Sequence, residues 1–90
     1  MTNKQRIVAS NSALESVKDI LPAEFYREVS DYINKYNEWG IGIESLIDYL
    51  CEEKSKVTPD QFCRVREAME SMGLCESDRL KELSDYVAST

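Results

Sequence analysis

The sequence predicts an all-α fold: a small antiparallel helical bundle of four main helices plus a short C-terminal helix. Apolar residues recur at three- and four-residue spacing along nearly the whole chain, and the strict alternation of a half-buried strand is absent. Helix punctuation falls between the periodic runs, with Pro22 and Pro59 at starts and Gly73 at an end. The connections left over are short, which makes consecutive helices antiparallel neighbours. Ninety residues with 42% hydrophobic content form one domain, residues 1–90. A chain of this size buries about 60–65% of its unfolded surface, enough for one core with little room for an enclosed active site.

The first helix is expected from about Lys4 to Asp19, with Ile7, Val8, Leu14 and Val17 on or near one face. Pro22 fits the first turn of the second helix, where its missing N–H is harmless. That helix carries Phe25, Val29, Tyr32, Ile33 and Tyr36 as its buried stripe and ends near Tyr36 or Asn37. The third begins around Trp39 to Ile41 and buries Ile43, Leu46, Ile47, Leu50 and Cys51. Lys54 to Val57 is a loop. Thr58-Pro59-Asp60-Gln61 is a capping box with proline at the first helical position, and it opens a fourth helix. Phe62, Val65, Ala68, Met69 and Met72 face inward there; Gly73 supplies the left-handed residue that ends the helix, and Leu74 the apolar contact of such a cap. The last helix starts at Ser77 or Asp78 and buries Leu80, Leu83, Tyr86 and Val87.

Charge is spread unevenly. The net charge is −6, a balance that argues against a nucleic-acid or anionic-membrane binder, since both want lysine and arginine. Residues 37–53 hold five acids (Glu38, Glu44, Asp48, Glu52, Glu53) and no base, whereas residues 54–66 hold four bases and one acid. At about 100° per residue, Glu44, Asp48 and Glu52 lie within roughly 80° of one another on the third helix. Like charges four residues apart destabilise a helix by roughly 0.2–0.5 kcal/mol per pair, and Glu52 and Glu53 sit at the end where the dipole disfavours anions. Either Lys54, Lys56 or a residue of another helix compensates across space, or the strip is a docking surface for a Lys/Arg-rich protein. Tyr49, beside the strip and away from the apolar centre, is the exposed aromatic such a surface would use. Trp39 is either a core plug or a rim contact. Gly40 and Gly42 let the neighbouring helix approach closely, and Glu38 complements the dipole at that helix start.

Little catalytic chemistry is available. No histidine is present, so a Ser-His-Asp triad, a Cys-His pair and a histidine metal site are all excluded. The three cysteines, Cys51, Cys63 and Cys75, form no C-x-x-C pair and are expected to be reduced and mostly buried. No calcium loop of the D-x-[DN]-x-[DN]-G type appears. No catalytic residue, metal or cofactor is expected, and the absence of a signal peptide or long apolar run predicts a cytoplasmic, membrane-free protein. Gly42-Ile43-Glu44-Ser45-Leu46 resembles the G-x-D-S-L site of acyl carrier proteins, whose serine carries phosphopantetheine at a helix start. It differs in having Glu44 for the aspartate, and Ser45 would be the modified residue.

Asn37-Glu38-Trp39-Gly40, followed by Glu44, Leu46, Asp48, Leu50 and Glu52-Glu53, resembles the MafI-type immunity proteins and related immunity proteins of contact-dependent growth inhibition systems. Thr58-Pro59-Asp60-Gln61-Phe62 and Ser71-Met72-Gly73-Leu74 resemble that family's next helix and its end. The likeness spans roughly residues 32–75. It implies a small helical protein that neutralises a cognate bacterial toxin, often a basic ribonuclease, the EndoU class included. If such a toxin is the partner, the acidic strip and its neighbouring aromatic are the expected contacts: Glu44, Asp48, Tyr49, Glu52 and Glu53, with Glu38 and Trp39 at the rim or structural. The D-x-x-Y-Y-P signature of colicin nuclease immunity proteins is missing.

Overall fold

A computed structural model of the chain describes residues 2–74 and 77–87. Its helices are α1 (Asn3–Ser16), α2 (Ala23–Asn34), α3 (Trp39–Glu52), α4 (Pro59–Ser71) and α5 (Asp78–Ser84), with a 3-10 turn at Lys18–Ile20. The predicted all-α class, with four main helices and a short fifth, is what forms.

Two capping boxes set the long α1–α4 pair. Thr2 accepts from the Gln5 backbone and Gln5 reaches back to Thr2, so α1 starts at Asn3. Thr58 and Gln61 do the same for α4, and the Gln61 amide also donates to the Ser16 carbonyl at 2.8 Å. At the opposite end, Arg6 Nε donates to the Ser71 carbonyl at 3.0 Å. The start of each helix thus satisfies carbonyls that the end of the other leaves open, which fixes the pair as antiparallel. Gly73, at φ +75°, closes α4: its N–H bonds Glu70 and that of Leu74 bonds Met69, the paired pattern of a Schellman cap. Lys54, at φ +49°, does the same for α3, through bonds from Lys54 to Cys51 and Ser55 to Leu50.

The second antiparallel pair is α2 and α3. A Cβ on Gly42, near the start of α3, would lie 3.2 Å from both Ile33 Cγ1 and Tyr32 Cβ in the last turns of α2. At the other end Phe25 stacks on Tyr49, with ring centroids 4.8 Å apart. Only Gly42 supports the close approach expected of both glycines, because a Cβ on Gly40 meets nothing within 4 Å. The core gathers Leu14 and Val17, Val29 and Ile33, the five predicted residues of α3, Val65, Ala68 and Met69 of α4, and Leu80 and Leu83 of α5.

Several expectations are corrected. The first helix stops at Ser16 rather than Asp19, and Val8 is exposed. The buried residues of α1 are Ser10, Ala13 and Leu14, and Val8 lies about 160° from Ser10 on the helix wheel. Pro22 is the N-cap of α2, just outside it. The second helix ends at Asn34; Asn37 turns left-handed at φ +54°, and Tyr36 leaves the buried stripe to stand 55% exposed. Phe62, Met72, Tyr86 and Val87 are half-buried at the edge of the core. Val57, expected in a loop, is fully buried and forms an isolated parallel bridge with Val87, so the C-terminal segment is pinned beside the start of α4.

Candidate functional site

Helix α3 places the acidic residues on two flanks. Glu44, Asp48 and Glu52 project from one side, and Ile41, 48% exposed, falls on the same line by the helical repeat. Glu53 is the C-cap residue, about 100° further round. Compensation from another helix, one of the two alternatives for this charge, is partly realised from α5. Arg79 Nε lies 3.0 Å from Asp48, Nη2 lies 3.8 Å from Glu52 and Nη1 lies 3.7 Å from Glu82. Each guanidinium nitrogen therefore faces a different carboxylate. Three acids and one base leave two net negative charges at this cluster.

The cluster stays open to solvent: the Asp48 and Glu52 side chains are 51% and 69% exposed. Exposed pairs of this kind are screened and add little to stability, so the cluster acts more on the surface field than on the fold. Among the described residues neither Glu44 nor Glu53 enters an ion pair, and both are exposed. Beneath the cluster Cys51 is buried, its thiol donating to the Arg79 carbonyl at 3.2 Å. Burial, then the nearby charge of Glu82, raises the Cys51 pKa above the ordinary thiol value. Cys63 is half-buried on α4, and Cys75 lies outside the described residues.

One sequence-predicted contact, Tyr49, sits elsewhere than expected, and Trp39 takes the first of its two expected roles. Tyr49 is half-buried and lies flat against Phe25 at an interplanar angle of 27°, so it is a packing residue between α2 and α3 rather than an exposed aromatic. Trp39, the first residue of α3, is half-buried and packs against the core, as a plug does. Glu38 occupies the N-cap position but its side chain makes no capping hydrogen bond; its carbonyl accepts from the Gly42 N–H. Ser45 is half-buried two turns into α3, not at a helix start where a carrier protein holds its prosthetic group.

Sequence reasoning missed Arg79 and Glu82. The only signal for them was indirect: a helix with five acids and no base needs a cation from elsewhere. The described residues contain no helix long and apolar enough to cross a membrane. No family model matches the chain, and no curated protein or solved structure matches it.

Proposed function

We propose that the protein is an immunity protein, which binds a cognate basic toxin stoichiometrically and blocks it without catalysis. The observation that carries this is the convergence of Asp48, Glu52 and Glu82 on Arg79. It gives a carboxylate-rich surface, held in place by one internal guanidinium and still negative. Glu52 and Glu82 stand beyond hydrogen-bond distance from Arg79, so both keep lone pairs for an incoming lysine or arginine. Glu44 and Glu53 extend the field, and Ile41 offers apolar area along the same line.

A ribonuclease cleft carries a positive field suited to RNA phosphates, and this surface is its complement. Opposite fields steer association toward about 10⁸–10⁹ M⁻¹s⁻¹, which serves a protein that must capture its toxin before substrate does. The resemblance of residues 32–75 to immunity proteins of contact-dependent growth inhibition systems points to the same partner, a nuclease of the EndoU class among the candidates, met in the cytoplasm.

The test is protection of cells that express a toxin domain, which this reading expects to be encoded beside the gene. The wild-type chain should restore growth, and the double variant Asp48→Lys with Glu52→Lys should fail to, while its circular dichroism spectrum stays helical. Toxin binding should weaken with salt in the wild type and lose that dependence in the variant. No protection by the wild type sinks the immunity function; undiminished protection by the variant sinks the acidic surface.

A further inference from the structure

An interface built on charge alone lacks the buried aromatic or arginine anchors that dominate binding energy. With Tyr49 committed to Phe25, the acidic strip of α3 presents no exposed aromatic ring. Among the described residues, the aromatic ring most open to solvent lies just past the end of α2: Tyr36 is 55% exposed and stands edge-on to Tyr32, with centroids 6.4 Å apart. These two tyrosines line a cleft of about 320 Å³ with Glu24, Arg27, Glu28 and Asp31. Three carboxylates and one guanidinium give the lining two net negative charges, one of which Lys35 beside Tyr36 offsets. Arg27 enters no ion pair among the described residues, so the acids are not neutralised by contact. The chain's own Lys35 ammonium already lies 5.5 Å from the centre of the Tyr36 ring, which shows one face of that ring in use as a cation platform.

We infer that this cleft on the outer face of α2 is a recognition site for an arginine side chain of a protein partner. A guanidinium is the group that stacks on aromatic faces and forks onto carboxylates together, and the cleft supplies both within one concavity. Glu24, Glu28 and Asp31 recur at helical spacing on one line of α2, as a basic segment lying along the helix would require. Residues 1–36 hold equal numbers of acids and bases, so a sum over the sequence conceals the site. The inference rests on the protein's being a binder of a basic partner and places its aromatic anchor on α2, separate from the cluster around Arg79.

The experiment is an amide-shift titration of the full ¹⁵N-labelled chain with an acetylated, amidated peptide of alternating glycine and arginine. The same peptide with glutamate in place of arginine is the control. Saturable shifts should centre on residues 24–36 with the arginine peptide and be absent with the glutamate peptide. Tyr36→Leu should weaken that binding about three- to fivefold, the size of a partly exposed cation–π contact, and Tyr36→Phe should preserve it. Glu28→Gln with Asp31→Asn should weaken it as well. Tyr36 lies outside the helices and the core, so these variants are expected to keep the wild-type spectrum away from the cleft. Shifts confined to α3 and α5, or full affinity in Tyr36→Leu, would overturn the α2 site. If the wild-type chain protects cells and Tyr36→Leu binds the toxin domain with unchanged affinity, the α2 site fails while the immunity function stands. If the wild-type chain does not protect, the immunity function fails on its own.

Discussion

Gly42 is where the α2–α3 pair can be tested by a single methyl group. An alanine Cβ there would stand 3.2 Å from Tyr32 Cβ and from Ile33 Cγ1, and 3.4 Å from the Val29 carbonyl oxygen. Tyr32 Cβ is fixed to its backbone and Ile33 is fully buried, so neither swings aside; α2 itself must retreat by a few tenths of an ångström. Replacing an interior helical glycine by alanine gains about 0.8–1 kcal/mol, and overpacking of this kind costs about 1–3 kcal/mol. With two tight contacts and one ordinary one, a cost near the middle of that range leaves Gly42→Ala less stable by about 1 kcal/mol. Gly40→Ala is the internal control, since nothing lies within 4 Å of its Cβ and the propensity gain, about 0.5 kcal/mol near a helix start, is uncompensated. Urea denaturation followed by far-UV circular dichroism should therefore move the two midpoints in opposite directions with the same m-value. In a chain of this size the difference of about 1.5 kcal/mol corresponds to a Tm gap of roughly 6–12 °C. Equal stabilisation by both variants would refute a tight α2–α3 contact, and with it the packing that positions Tyr32.

Two further predictions concern buried polar groups. Ser10 Oγ is buried with no hydrogen-bond partner among the described residues. Ser10→Ala removes that desolvated hydroxyl and improves helix propensity, so it should stabilise the protein by about 1 kcal/mol, seen as a rise in Tm; a fall would mean that the hydroxyl is satisfied. In a Cys75→Ser background, a maleimide at neutral pH should label half-buried Cys63 readily and Cys51 at least about tenfold more slowly, as expected for a buried thiol with a raised pKa. Equal labelling rates in the folded protein would show that α5 does not hold its place over Cys51.

The sequence was most legible where one kind of signal was dense. All five apolar positions predicted for α3 are buried, because large aliphatic residues at helical spacing leave one inward face. The limits of α4 could be read from Thr58 and Gln61, whose side chains bond backbone at its start, and from Gly73, whose positive φ closes its end. In α1 the inward line runs through Ser10 and Ala13, which carry almost no hydrophobic signal, and the conspicuous Val8 pointed to the wrong face. The site was half legible. Counting charges found the acids of α3, but Arg79 and Glu82 lie far along the chain, and no local rule brings them to Asp48. Tyr49 was misread for a related reason: its angle on α3 is set by the helix, whereas the ring that covers it, Phe25, belongs to another element.

The cation at Arg79 changes what the acidic strip can do. An α3 surface without it would present like charges free to splay apart, each solvated and each ordered anew on binding. With Arg79 between them, Asp48, Glu52 and Glu82 from two helices are held toward one point before a partner arrives, which lowers the ordering entropy that binding must overcome. The same contact removes one unit of negative charge from the field that steers the partner in. Arg79 therefore trades long-range attraction for local preorganisation. In Arg79→Gln the field grows and the carboxylates loosen, so association with a basic partner should quicken and dissociation should quicken too. A cluster that served only to stabilise the fold would leave dissociation unchanged.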